Sequence, residues 1–271
     1  MRIGVIGCAG RMGRANLREV LSTDGAELVG GVEREGHPAL GQDLGLLAGL
    51  DAVGLVASAD LEALITAAQV VIEFSNPEAT VAHAALCAGR GCAHVIGTTG
   101  LDSGQAERLR SQAARVPIVW APNMSVGINL LLGLVEKVAR TLDPAFDIEI
   151  LELHHRHKVD APSGTALALG RAAARGRGVE LDRVAVRARD GITGARGSGE
   201  IGFAVLRGGD AVGEHRVLFV GTGERIELAH VATDRGIYAR GAVRAAMWAP
   251  SQPPGLYGMA EVLGLRPGRP G

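Results

Sequence analysis

Met1-Arg2-Ile3-Gly4-Val5-Ile6-Gly7-Cys8-Ala9-Gly10-Arg11-Met12-Gly13 opens the chain, and its reading decides the fold class. Residues 2–7 form a short apolar run of the kind that becomes a buried strand. Met12, Ala15, Leu17, Val20 and Leu21 then recur at helical spacing, which predicts a helix over 11–21. Between them Gly7, Gly10 and Gly13 allow a tight turn and let the amides of Cys8, Ala9, Arg11 and Met12 approach a pyrophosphate at a helix start. The spacing is GxxGxxG rather than GxGxxG, so a plain glycine-rich turn is the competing explanation. The next strand favours the nucleotide reading. Expected over 26–32, it delivers Glu33 where an acidic group can accept from ribose hydroxyls, while Arg34 beside it can meet a 2′-phosphate. The pair keeps NADH and NADPH both open as cofactor.

Working outward, strands are expected at 70–74, 93–96 and 117–121, alternating with helices at 77–89 and 103–114. Alternation of this kind builds a parallel α/β sheet with right-handed crossovers. Gly97-Thr98-Thr99 and Ala121-Pro122-Asn123-Met124 each follow a strand and should line the carboxyl edge of the sheet, although either alone reads as an ordinary turn. Residues 36–58 show no usable period. Beyond Asn123 the pattern changes: helix 126–140, strand 147–153, helix 165–175, and an exposed loop over 176–199 rich in Gly and Arg with short strand pieces. Strands over 201–206, 215–220 and 225–231 follow without intervening helices, the last two joined by Gly221-Thr222-Gly223-Glu224. Such a run predicts a second, α+β domain with an open mixed sheet. Helices over 237–248 and 256–263 end the chain.

Composition narrows the partners. Twenty-eight basic against 29 acidic residues create no global field for nucleic acid or membrane, so anion binding must come from local clusters. Cys8, Cys87 and Cys92 have neither a paired framework nor CxxC spacing, which suits a reducing compartment. The opening strand has no signal-peptide pattern, and no apolar run reaches the roughly 20 residues of a membrane span. A cytoplasmic protein is expected.

The chemistry concentrates in Glu152-Leu153-His154-His155-Arg156-His157-Lys158-Val159-Asp160-Ala161-Pro162-Ser163-Gly164-Thr165. Histidine exchanges protons near neutral pH, lysine and arginine hold carboxylates, and Ser163-Gly164-Thr165 open a helix whose amides suit an anion. A charge run is ordinarily a solvated loop, and three nearby histidines also suggest a metal. No acidic or cysteine ligand at recognisable spacing supports the metal, and the adjoining helix start argues against an idle loop. No metal is expected. His37, His83, His94 and His230 read as surface or satisfied core residues, and Arg156 and His157 as loop structure.

These motifs carry a resemblance. The 152–165 block, the Gly7–Gly13 turn, Gly97-Thr98-Thr99, Asn123-Met124-Ser125-Val126-Gly127-Ile128-Asn129, Ile201-Gly202-Phe203, Val212-Gly213-Glu214-His215, Gly223-Glu224-Arg225-Ile226-Glu227 and Gly255-Leu256-Tyr257 together resemble the 4-hydroxy-tetrahydrodipicolinate reductase family, formerly dihydrodipicolinate reductases. The resemblance runs almost end to end. It implies a Rossmann-like domain over 1–125 completed by 236–271, and a substrate and tetramerisation domain over 126–235. It implies NADH- or NADPH-dependent reduction of a cyclic imine dicarboxylate with loss of water, in the diaminopimelate route to lysine. By motif match His154 is the proton donor or acceptor and Lys158 a second proton donor. His155 and the Ser163-Gly164-Thr165 helix start hold substrate carboxylates. Met124 departs from the family, in which Phe is common at this position. An amino-acid or imino-acid dehydrogenase of the same layout, and a dinucleotide-binding sensor without catalysis, are the alternatives; the intact His154–Lys158 block argues against the sensor.

Overall fold

The structure, a computed structural model, describes residues 1–265. Of the segment expected to complete the first domain, 266–271 lie outside the described residues. The chain divides into two compact units: Met1–Val126 with the segment from Gly236 onward, and Gly127–Arg235.

The first unit runs β1 (Arg2–Ile6), α1 (Arg11–Ser22), β2 (Glu27–Val32), α2 (Leu44–Leu47), β3 (Ala57–Ser58), α3 (Leu61–Ala67), β4 (Val70–Glu73), α4 (Pro77–Arg90), β5 (Ala93–Ile96), α5 (Ser103–Ala113) and β6 (Pro117–Trp120). β4 and β5 are buried at every position, as strands covered by helices on both faces must be. Then come α6 (Val126–Thr141), β7 (Asp147–His154), α7 (Gly164–Arg177), α8 (Leu181–Val184), β8 (Ala185–Val186), β9 (Ile201–Arg207), β10 (Gly213–Val220) and β11 (Arg225–Ala232). The chain returns to the first unit as α9 (Gly236–Trp248), β12 (Gly255–Tyr257) and α10 (Met259–Val262).

The first sheet is parallel throughout, in the order β12-β6-β5-β4-β1-β2-β3. Strand order reverses between β1 and β4, and the crevice beyond their carboxyl ends is where open α/β sheets take their ligands. Close packing makes this geometry: a Cβ on Gly13 would lie 2.0 Å from the Gly7 carbonyl oxygen, and one on Gly241 of α9 would lie 1.7 Å from that of Met124. The structure corrects one local expectation and orders one stretch that the sequence leaves unassigned. The expected helix over 256–263 is strand β12, hydrogen-bonded beside β6, before a single helical turn. Tyr257 decides this, because its ring packs edge-on against Trp248 at 5.1 Å and its hydroxyl donates to the Pro253 carbonyl. The unassigned 36–58 stretch is organised by Asp43, whose carboxylate accepts from the amides of Gly45, Leu46, Val53 and Gly54. Order built on one side chain leaves no periodic trace.

The second sheet is mixed, in the order β11-β10-β7-β9-β8, with β7 parallel to β9 and antiparallel to β10. Its buried face carries Ile148, Ile150, Val217 and Phe219 against Leu169, Ala172 and Ala173 of α7. The 176–199 stretch is better ordered than expected. Helix α7 extends to Arg177, α8 and β8 follow, and Arg196 ties the rest to β7 through Asp147, Glu149 and the Ile148 carbonyl.

Candidate active site

At the nucleotide end, Gly7 takes a left-handed φ of 72° as β1 gives way to the turn. The amides of Gly7 and Cys8 donate to the Val32 carbonyl, which ties the turn to the end of β2. Glu33 Oε1 accepts from the Ala9 amide at 2.9 Å, so the acidic residue at the end of β2 also holds the glycine turn. Cys8 is buried, and burial followed by the nearby Glu33 charge pushes its thiol up to about 12. It is a packing residue facing Gly31, not a nucleophile. No side chain caps α1 at Gly10, whereas Asp43, Asp60, Asn76, Asp102 and Ser163 cap α2, α3, α4, α5 and α7. The amides of Arg11 and Met12 therefore open a helix with no capping side chain in front of them, as a pyrophosphate site requires. The residues present fit a dinucleotide. Arg34 is exposed next to Glu33.

The other carboxyl-edge residues divide by side chain. Thr99 and Pro122 are exposed, while Gly97, Thr98, Ala121 and Met124 are buried and Asn123 half-buried. Met124 joins the core, leaving its backbone for any ligand contact. The Thr98 hydroxyl accepts from the Ser75 amide at 3.0 Å and from the Thr80 hydroxyl at 2.9 Å, so it points into the protein. A Cβ on Gly97 would lie 2.1 Å from the Phe74 ring, which reserves that position for glycine.

The chemical cluster comes from sheet register in the second unit. Alternation along β7 puts Glu152 and His154 on the same, buried face. Register then sets His215 opposite Glu152 and Arg207 opposite His154. The Glu152 carboxylate is the hub. It accepts from His154 Nδ1 through Oε2, from the Ser163 amide at 2.8 Å, and from both Arg207 Nη atoms at 2.9 and 3.1 Å. Burial raises the Glu152 pKa, but Arg207, the Ser163 amide and His154 outweigh it, and the group stays ionised. Burial lowers the His154 pKa and Glu152 opposes this; with Lys158 and Arg207 adding positive charge, the imidazole sits below its ordinary value. A neutral ring donating Nδ1–H to Glu152 leaves Nε2 as the atom that can exchange a proton. Gly213 makes room for it, since a Cβ there would come within 3.0 Å of His154 Nε2.

His215 packs edge-on to His154 at 5.1 Å, and its Nε2 lies 3.2 Å from Ser163 Oγ. Burial, then the repulsion it would meet from a protonated His154, brings His215 down to about 4, so it is neutral at working pH. Glu152, His154 and His215 offer ligand atoms within 4.8 Å of one another, a spacing a metal ion can use. The carboxylate is already neutralised by Arg207, which opposes a second cation there.

After His154 the chain turns away from the sheet. Lys158 donates its amide to the His155 carbonyl and its Nζ to Asp160 at 2.7 Å. His155 is half-buried, its ring 6.3 Å from that of His157, while Arg156 and His157 are exposed. Ser163 caps α7 by accepting from the Ala166 amide, a position beyond Gly164 and Thr165. The sequence alone singles out His154, Lys158, His155 and the α7 start, but gives no role to Glu152, Arg207 or His215. Glu152 is legible in part, two residues before His154 on a strand. Arg207 carries no local signal, His215 only its place in the 212–215 motif, and both reach the cluster by strand pairing.

Fold and site together define an NAD(P)-dependent oxidoreductase built of two units. Residues 1–124 match the family model for the N-terminus of dihydrodipicolinate reductase, and 127–263 that for its C-terminus. The chain is 57% identical over 265 residues to the 4-hydroxy-tetrahydrodipicolinate reductase of Afipia carboxidovorans, covering 98% of this chain and 97% of that protein. It is 54% identical over 263 residues to the enzyme of the same name from Ruegeria sp., covering 97% and 98%. Among solved structures, a dipicolinate-bound dihydrodipicolinate reductase from Paenisporosarcina sp. TG-14 superimposes with a TM-score of 0.76 at 26% identity, covering 96% of this chain and 98% of that one. The chain belongs to the dihydrodipicolinate reductase family.

Proposed function

We propose that Glu152, His154, Arg207, Lys158 and the start of α7 form the substrate site of an enzyme that reduces 4-hydroxy-tetrahydrodipicolinate to tetrahydrodipicolinate, with NADH or NADPH as reductant and water as the second product. The observation that carries the site assignment is the convergence of His154, Arg207 and the Ser163 amide on one buried carboxylate. Glu152 sets the imidazole so that Nε2 faces outward and exchanges the proton that the reaction needs. The dinucleotide, held by the 7–13 turn, Glu33, Arg34 and the 97–99 and 121–124 loops, supplies the hydride when bound. Lys158, moving from Asp160, protonates the ring or balances its charge, and His155 with the Gly164 and Thr165 amides takes the carboxylates. A dicarboxylate bound near Lys158 and Arg207 offsets their charge and raises the His154 pKa toward working pH. The dipicolinate held by the Paenisporosarcina enzyme is a cyclic dicarboxylate of the required kind.

Residues 1–125 with the C-terminal segment form the dinucleotide domain in this reading, and 126–235 the substrate domain. The open face of the second sheet, with Leu206 and Val231 both more than half exposed, supports assembly of a homotetramer. Three buried free cysteines fit a cytoplasmic enzyme. The test is steady-state kinetics on freshly generated hydroxy-imine with each cofactor. Substrate-dependent loss of reduced-nicotinamide absorbance is expected; its absence with both cofactors overturns the assignment.

A further inference from the structure

Glu73 is a buried carboxylate that the reaction does not use. It ends β4 at the point where strand order reverses, and its side chain is fully buried. The other β4 residues, Val70, Val71 and Ile72, are equally buried and apolar, so the strand itself has no need of a charge. Oε1 accepts from the Ser75 hydroxyl and lies 2.8 Å from His83 Nδ1, while Oε2 lies 2.7 Å from His94 Nε2. Burial pushes this carboxyl up, yet the two histidines outweigh it and hold it far below the usual carboxylate range. An ion removed from water in this way is destabilising until its partners compensate it, and an apolar residue of similar size would fill the space without that cost.

The partners lead to the ligand edge. Ser75 bonds Glu73 through its hydroxyl and Thr98 through its amide. Thr80, 3.3 Å from Glu73 Oε1, also donates to the Thr98 hydroxyl. Trp120 Nε1 donates to the Thr98 carbonyl from the far side at 3.2 Å. The loops that follow β4 and β5, on one side of the crevice, are thus locked to each other, with the charged end of the lock beneath them.

We propose that Glu73 is a positioning residue for the dinucleotide: acting through Ser75, it holds Thr98 and so fixes the 97–99 backbone in its ligand-ready form. This rests on the assignment of the 97–99 loop to the cofactor. Pre-organisation of this kind improves binding by removing the cost of ordering the loop.

Ser75 is exposed, so Ser75→Ala tests the link with little threat to folding. In the full-length enzyme, loss of one charge-assisted hydrogen bond should raise the NADH and NADPH Kd about 3–10-fold by fluorescence titration. Dipicolinate affinity, used as the substrate-side probe, and kcat at saturating cofactor should remain at wild-type values. Ser75→Thr, which keeps the hydroxyl, should bind the dinucleotide as wild type does. Glu73→Gln should weaken the dinucleotide at least as much as Ser75→Ala; if it fails to fold, the Ser75 pair decides. Wild-type dinucleotide affinity in Ser75→Ala, equal weakening of dinucleotide and dipicolinate, or no rescue by Ser75→Thr overturns the proposal. Failure of the wild-type enzyme to bind either dinucleotide would instead overturn the cofactor-site assignment on which it stands.

Discussion

Replacing Glu152 by glutamine changes one carboxylate oxygen to an amide nitrogen at the hub of the proposed substrate site, and the consequences can be worked through bond by bond. The carboxylate offers two oxygens to four donors: His154 Nδ1 and one Arg207 Nη on Oε2, the Ser163 amide and the other Nη on Oε1. Glutamine keeps one oxygen, which can serve Ser163 and one Nη. Its NH2 then faces a guanidinium N–H and an imidazole N–H, donor against donor. The histidine can relieve this only by moving its proton to Nε2, which turns the exchanging atom from acceptor to donor. Two charge-assisted bonds are lost at about 1.5–3 kcal/mol each, part of which relaxation returns, so a stability loss of about 3 kcal/mol is expected. Loss of the correct tautomer in a positioned base costs roughly 10²–10⁴ in kcat. The assay is substrate-dependent oxidation of NADH and NADPH, paired with dinucleotide titration. Glu152→Gln should show the fall in kcat with dinucleotide Kd unchanged within about twofold, since no dinucleotide contact is assigned to Glu152. A kcat within about threefold of wild type would refute the claim that Glu152 sets the His154 tautomer.

The same geometry sets three further outcomes. Lys158→Ala should lower kcat and raise KM for the substrate together, each by about tenfold or more, because it removes both a charge and a proton donor; unchanged values in both would take Lys158 out of the site. His215 sits at about 4 when folded, against about 6.5 when unfolded, so the native state binds fewer protons. Its contribution is fully present above about pH 6.5 and is lost as pH falls through 4, roughly 3 kcal/mol in all. Denaturant melts of His215→Asn should therefore show a flatter decline over that window, and a slope equal to wild type would count against a buried neutral His215. Asn16 in α1 is fully buried, and neither side-chain amide atom has a partner among the described residues. Asn16→Leu should raise stability by about 1–3 kcal/mol and Tm by several degrees; a lower Tm would mean the amide is bonded after all.

Much of the site is legible in the sequence, and for a physical reason. A glycine turn between strand and helix, an acid at the end of the next strand, and an imidazole-rich segment before a Ser-Gly-Thr helix start are local features whose chemistry follows from residue type and spacing. The same holds for the patterns that make β4 and β5 buried strands and β7 a one-sided one. Where the sequence misleads or is silent, the structure depends on a distant contact or a single side chain. Residues 255–257 form a strand because β6 offers an edge and Trp248 a packing surface for Tyr257. Asp43 orders 36–58 from within, where periodicity says nothing.

The sequence by itself determined the α/β class, the glycine turn between β1 and α1, the two-unit order of elements and the His154–Lys158 block, because each is written in neighbours a few residues apart. Only the tertiary structure decided what acts on His154. Arg207 and His215 lie 53 and 61 residues further along the chain (207 − 154 and 215 − 154) and reach it through β-sheet register, a property of strand pairs rather than of any strand. The same is true of Glu73, whose meaning appears only when β4, α4 and β5 place two histidines, a serine and a threonine around one carboxylate. A charge survives burial when the fold brings it partners, and which partners those are is set by packing across the chain.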